Sequence, residues 1–115
     1  MRTYKELDVW KNGVELVKKV YIITSDFPKE EVYGLTSQIR RSAISIPSNI
    51  AEKSARNSTK EFIQFLYIAL GSAAELETQL IISKDLGFLK DLSLFEDLEK
   101  IKAKAINLIK VLKNR

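Results

Sequence analysis

Residues 58–87 read STKEFIQFLYIALGSAAELETQLIISKDLG, and this stretch predicts one long α-helix. Ser58 and Glu61 form a capping box, in which the two residues satisfy each other's free amides at a helix start. Apolar residues then recur every three or four positions, which places them on one helix face; the core stripe is Phe62, Phe65, Leu66, Ala69, Ala73, Leu76 and Leu80. The helix is expected to continue to Leu86 and to stop at Gly87, because glycine favours the left-handed conformation that ends helices.

Two segments before this helix show the same helical period. The first predicts a core stripe of Leu7, Trp10, Val14, Val17, Tyr21 and Thr24. It ends at Asp26-Phe27-Pro28. The second runs from about residue 36 to residue 55, with an apolar face of Leu35, Ile39, Ala43, Ile46 and Ile50. Pro47 lies inside this segment and lacks the amide that would bond the Ala43 carbonyl, so we expect a kink or a local break there.

A fourth helical segment follows the long one. It is predicted to open at Ser93 with a second capping box, completed by Glu96. Its core stripe is Leu94, Leu98, Ile101, Ala105, Leu108 and Leu112. Short connections between the four segments favour antiparallel neighbours. The sequence therefore predicts an all-α, antiparallel up-down-up-down four-helix bundle that occupies residues 1–115 as a single domain.

The composition argues against most enzyme chemistry. The 115 residues include no Cys and no His, which removes disulfides, zinc–thiolate sites, His metal ligands and Ser-His or Cys-His relays. Glu75 and Glu77 are two positions apart and cannot share a helix face, so a carboxylate pair does not replace the missing histidines. We expect no enzyme, no metal and no cofactor. No apolar run approaches the roughly 20 residues that span a bilayer, and the first residues lack a signal-peptide core, so we expect a cytoplasmic protein without a membrane partner.

Positive charge is unevenly distributed along the chain. The net charge is +4, while residues 100–115 hold six basic side chains and no acidic one. Basic residues also gather in and after the second segment, and the candidate nucleic-acid contacts are Arg40, Arg41, Lys53, Arg56 and Lys60. The alternative is that these charges merely solvate exposed helix faces.

The long helix has more apolar residues than one core face uses. A second seam lies beside the core stripe and contains Ile63, Tyr67, Leu70, Ala74, Thr78 and Ile81. We take Ile63, Tyr67, Leu70, Ala74 and Ile81 as a candidate interface between copies of the chain, because unmatched apolar area on a small domain usually meets a partner. The alternative is that the seam completes the core of the bundle. Gly71 in the middle of this helix costs roughly 1 kcal/mol relative to Ala, which suggests a packing reason for its presence.

Several motifs together resemble a known family. They are Tyr33-Gly34-Leu35, Gln38-Ile39-Arg40-Arg41, Ser45-Ile46-Pro47-Ser48-Asn49-Ile50-Ala51-Glu52 with Arg56, and Leu86-Gly87-Phe88-Leu89; Leu7, Trp10 and Phe27-Pro28 extend the likeness to the N-terminus. The pattern resembles the four-helix-bundle proteins encoded in intervening sequences of bacterial 23S ribosomal RNA genes, and it covers nearly the whole chain. Lys53 departs from the glycine that usually follows the Asn-Ile-Ala-Glu run.

The resemblance implies a function in binding rather than catalysis. The same family includes the accessory variability protein of diversity-generating retroelements, which forms a pentamer and binds nucleic acid together with a reverse transcriptase. By this likeness we expect a homopentamer that contacts RNA or DNA and, by the same likeness, a reverse transcriptase as a candidate partner. A protein–protein scaffold with no nucleic-acid role is the alternative. Asn49 and Glu52 lie beside Pro47, where they either lock the local conformation or contact a ligand.

Overall fold

The computed structural model describes residues 4–52 and 58–114 and contains four α-helices in that part of the chain. They are α1 (Asp8–Thr24), α2 (Leu35–Ala51), α3 (Thr59–Asp85) and α4 (Ser93–Lys113). Short 3₁₀ turns, Tyr4–Glu6 and Lys29–Glu31, precede α1 and α2. The described residues contain no strand, so the all-α prediction is confirmed.

Polar contacts between the helices show their directions. From α1 to α4, Lys19 contacts Asp97 and Asn12 contacts Lys104, so residue numbers rise along one helix as they fall along the other. The same reversal relates α3 to its two neighbours, through Ser42–Glu75, Ser45–Ser72, Glu77–Lys102 and Tyr67–Lys113. Because α1 also packs against α2, the four helices close a ring in chain order. The predicted antiparallel up-down-up-down bundle is confirmed.

The core runs along the axis of the bundle and draws on all four helices. Its fully buried large side chains are Val20 from α1, Ile39, Ile46 and Ile50 from α2, Leu66, Leu76 and Leu80 from α3, and Leu94 and Leu98 from α4. Ala43, Ala69 and Ala73 are equally buried between α2 and α3 and leave room for these helices to approach. The predicted stripes of α2 and α4, and most of that of α3, lie in this core or pack against it.

The prediction of which face of α1 enters the core is wrong. The buried residues of this helix are Val9, Gly13, Leu16, Val20 and Thr24. Of the predicted stripe only Thr24 is fully buried; Leu7, Trp10 and Val17 pack at the edge of the core, and Tyr21 is 40% exposed. The reason is the close approach of α1 to α2, which turns Gly13 rather than a larger residue toward the neighbouring helix.

Pro47 does not break α2. The helix continues through it to Ala51, and Pro47 itself is buried. Asn49 supplies a side-chain bond in the same turn, since its amide donates to the Ser45 carbonyl at 2.8 Å and to the Ser45 hydroxyl at 2.9 Å. The Ser45 and Ser72 hydroxyls lie 2.7 Å apart, so this cluster also ties α2 to α3. The Asn49 side chain therefore bonds within its own helix and does not reach the Ala43 carbonyl that Pro47 leaves without a backbone donor.

The helix ends show which capping predictions hold. At α3 the Ser58 hydroxyl accepts from the Glu61 amide and donates to the Glu61 carboxylate, both at 3.1 Å, so a cap by Ser58 is confirmed. Gly87 has a left-handed φ of 82°, as predicted. At α4 the prediction is wrong: Ser93 is the first helical residue, and the Asp91 carboxylate accepts from both its amide and its hydroxyl. These bonds lower the pKa of Asp91.

Candidate nucleic-acid and self-association surfaces

Arg40 is committed to the contact between α2 and α1. Its Nε donates to the Thr24 hydroxyl at 2.9 Å and one terminal nitrogen donates to the Tyr21 carbonyl at 3.3 Å. The guanidinium also lies over the Tyr21 ring, 4.4 Å from the centroid. Placed at the last turn of α1, the cation complements the negative end of that helix. Arg40 therefore has a structural role that does not depend on a ligand.

Arg41 points to the other flank of α2, toward α3. It is exposed and lines a shallow groove of about 330 Å³ together with Gln38, Ser42, Ser45, Glu75 and Gln79. The Glu75 carboxylate in the same groove accepts a hydrogen bond from the Ser42 hydroxyl at 2.7 Å. Within the described residues Arg41 has no ion pair. Its charge is available to a partner that approaches the α2–α3 flank.

The structure does not bring the described basic candidates into one patch. Arg40 and Arg41 lie in the first half of α2 on opposite flanks. Lys60 is exposed at the start of α3, whereas the Ser42–Glu75 and Ser45–Ser72 contacts place Arg41 level with about residue 76 of that helix. At 1.5 Å per residue the two positions are about 24 Å apart along the helix axis. Lys53 and Arg56 lie outside the described residues. A single rim formed by these side chains therefore requires more than one copy of the chain.

A basic groove that the sequence did not predict lies between α1 and α4. It has a volume of about 500 Å³, and its lining residues are Asn12, Glu15, Leu16, Lys18, Lys19, Ile22, Asp97, Lys100, Ile101 and Lys104. We call it the α1–α4 groove. In the sequence, the lysines of α4 form one C-terminal group. The antiparallel pairing of α1 with α4 instead divides them and places two of them beside Lys18 and Lys19.

The predicted interface seam of α3 divides into two parts. Ile63 and Leu70 pack against the core, whereas Tyr67, Ala74 and Ile81 are exposed. Two further large side chains, Ile68 and Ile82, are exposed on the same helix at 49% and 45%. We define the α3 outer face as Tyr67, Ile68, Gly71, Ala74, Ile81 and Ile82. Sequence periodicity missed Ile68 and Ile82 because they lie outside the two apolar stripes that it recognises.

Lys102 joins α4 to α3 beside this face. It bonds Glu99 at 2.8 Å on its own helix and Glu77 at 3.2 Å on α3. The hydrogen bond to Glu99 raises the pKa of Lys102, and the same bond lowers the pKa of Glu99. Because Lys102 meets two carboxylates, its charge is neutralised within the protein.

The side chains and the helix lengths also bear on metal binding and on membrane insertion. The described residues contain no cluster of three or more acidic side chains arranged to hold a metal ion. By length and composition α3 would pass as a membrane-spanning helix, a property it shares with core helices of soluble bundles. Glu75 and Glu77 lie in the middle of α3, where a bilayer would make charges costly.

Known proteins match this chain both in sequence and in fold. A family model described as 23S rRNA-intervening sequence protein matches residues 5–114. A crystal structure from Bacteroides thetaiotaomicron, described as a protein of unknown function from the S23 ribosomal protein family, is similar with a TM-score of 0.80 and 26% identity. The match covers 89% of this chain and 95% of that one. A search of curated proteins gives no match. With the four-helix bundle in place and the family model covering all but the chain ends, the protein belongs to the 23S rRNA-intervening sequence protein family.

Proposed function

We propose that this protein is a non-enzymatic accessory protein that binds nucleic acid through lysines of α4 and acts as a homo-oligomer, with a pentamer as the expected state. The observation that carries the nucleic-acid part is that most lysines in residues 100–113 of α4 contact no carboxylate. This stretch holds five lysines, of which only Lys102 contacts an acidic side chain in the described residues. Lys104 and Lys113 donate to the neutral Asn12 and Tyr67 side chains, and the other two are Lys100 and Lys110.

Uncompensated lysines on one helix favour a polyanionic partner. Lysine is a point charge that attracts phosphates without selecting a particular base or geometry, so the expected binding depends little on sequence and strongly on salt. The family name refers to ribosomal RNA genes and the name of the structural neighbour to ribosomal proteins. Structured ribosomal RNA is therefore the first partner to test, with duplex DNA beside it.

A fluorescence anisotropy titration tests the nucleic-acid part. Labelled RNA hairpins and a labelled DNA duplex are titrated with the protein at several salt concentrations. We expect binding at low salt and a linear fall of the logarithm of the binding constant with the logarithm of salt concentration. Absence of binding to both probes at low salt would overturn this part. A protein–protein scaffold would then be the better description.

The self-association part has its own support in α3. Only 33% of the most apolar 18-residue window of this helix is buried. A methyl group at Gly71 would meet nothing within 4 Å, so no contact within the described chain explains a glycine at this mid-helix position. Glycine allows two helix backbones to approach closely, and a second copy seated on the α3 outer face would use both features.

Light scattering tests self-association directly. We expect a mass several times the 13.1 kDa of one chain, and we expect Ile68→Glu and Ile82→Glu to reduce it, because a charge buried at an interface costs several kcal/mol. Val111→Glu is the matched control, since Val111 is 52% exposed on α4 and lies outside the α3 outer face. Leu70 is a poor choice for this test because it packs against the core. A parent protein of 13 kDa would contradict the proposal.

A further inference from the structure

We infer that the α1–α4 groove is the phosphate-binding site of each subunit and that it takes a phosphodiester strand along its length; this inference rests on the proposed function. Two cross-contacts hold the groove in shape. Lys19 bonds Asp97 at 2.7 Å and Lys104 bonds Asn12 at 2.7 Å, on either side of the floor formed by Leu16 and Ile101.

The net positive charge of the groove lies on α4. Lys19 is neutralised by Asp97. Lys18 is paired with Glu15 at 3.2 Å, and the side chains of Lys18 and Glu15 are both more than 60% exposed. Lys100 has no partner among the described residues, and Lys104 contacts only a neutral amide. Lys100 and Lys104 are four positions apart on one helix, so they project side by side from the same wall. Two adjacent uncompensated cations are the feature that a phosphate backbone recognises.

The shape of the groove favours a strand over a small acidic ligand. It is open along its length and lies between two helices, and its walls offer lysine ammonium groups without arginine forks or a cluster of backbone amides. A small phosphate or carboxylate compound needs such directional donors to be held in one orientation. A polymer with regularly repeated phosphates needs only positive charge along its path. Ile22, 71% exposed at the edge of the groove, adds an apolar surface for a ribose or base.

The position of the groove is compatible with self-association. In a ring of helices in chain order, α1 is diagonally opposite α3, so the α3 outer face and the α1–α4 groove lie on different sides of the subunit and share no residue. One long strand is then able to contact several grooves. Each contact is weak, but repeated contacts within one assembly gain from the high effective concentration of the remaining sites.

A pair of charge-matched variants tests the site. In the first, Lys100→Gln is combined with Lys104→Gln; in the control, Lys84→Gln is combined with Lys90→Gln, which removes two exposed lysines at the loop end of the bundle. Anisotropy titrations use a labelled RNA hairpin, a single-stranded RNA and a DNA duplex. We expect the groove variant to bind roughly tenfold more weakly at low salt and to show a smaller salt slope, while the control behaves as the parent.

The outcomes separate this inference from the proposed function. If the groove variant binds as tightly as the parent, or if both variants lose affinity equally, the groove is not the binding site. Nucleic-acid binding by the protein would still stand. Failure of the parent to bind any of the three probes overturns the proposed function itself. Lys100→Arg with Lys104→Arg keeps both charges and is expected to bind as the parent does. Equal oligomeric mass and melting temperature for all variants exclude a folding effect.

Discussion

Gly13 of α1 lies against Pro47 of α2, so that a methyl group at position 13 would be only 3.3 Å from the Pro47 Cβ. The proline ring is buried inside a continuous helix and has little freedom to move away. This contact sets how closely α1 and α2 approach. It also determines which face of α1 enters the core.

We expect Gly13→Val to lower the free energy of unfolding by about 2 kcal/mol, because the added atoms overpack a rigid contact. Urea unfolding followed by circular dichroism, at one fixed protein concentration, measures the change. Lys11→Gly and Lys11→Val together are the matched control: position 11 is exposed on the same helix, so the difference between these two variants reports the helix propensity of a glycine-to-valine exchange alone. A change at position 13 equal to that difference would contradict the close approach.

The same contact explains why the sequence misplaced the face of α1. Trp10 and Tyr21 are the largest apolar residues of this helix and dominate its apparent stripe. Trp10 instead stacks edge-to-face on Tyr4 at 5.4 Å, and Tyr21 lies beneath Arg40. Gly13 has no hydropathy signal, so periodicity gives no indication that it faces another helix. The period of α1 was predictable and its rotation was not.

The candidate site was less predictable than the fold. Helix number, type and order follow from apolar spacing within each segment, which is local information. The α1–α4 groove depends on the register between two helices distant in sequence, which only a contact such as Lys19–Asp97 reveals. Similarly, nothing local distinguishes the bound Arg40 from the exposed Arg41 beside it.

A larger residue in place of a second glycine, Gly71, is expected to stabilise the single subunit and to weaken the oligomer. Replacing it with leucine adds helix propensity of about 1 kcal/mol, and the described chain offers no steric conflict within 4 Å. We therefore expect Gly71→Leu to preserve or increase helical signal while it lowers the oligomeric mass measured by light scattering. A variant that keeps the parent's mass and gains stability would show that the α3 outer face is not buried between subunits.

The contacts of Lys102 are expected to stabilise the fold at neutral pH and to lose this effect at both low and high pH. Its pKa is raised above the ordinary 10.5, so its contribution to stability is complete below that pH and is lost as pH rises through the folded value. The pKa of Glu99 is lowered from 4.5, so its contribution is complete above that pH and is lost as pH falls through the folded value. We expect Lys102→Gln to be less stable than the parent at neutral pH, with a difference that shrinks at both extremes. Urea titrations at acidic, neutral and strongly alkaline pH measure this difference. A difference that does not vary with pH would mean that the contacts with Glu99 and Glu77 contribute nothing to stability.

Arg40 and Arg41 provide the sharpest comparison because they are adjacent in sequence and differ in their contacts. Arg40 donates two hydrogen bonds to α1 and covers the Tyr21 ring, so we expect Arg40→Met to lower the free energy of unfolding by about 2 kcal/mol. Arg41 is exposed without an ion pair in the described residues, and Arg41→Met is expected to change stability by no more than about 0.5 kcal/mol. Urea unfolding of the two variants measures both values. If Arg41 contacts phosphate, its variant also weakens RNA binding at unchanged stability, a combination that Arg40→Met does not produce. Equal stability of the two variants would contradict the structural role of Arg40.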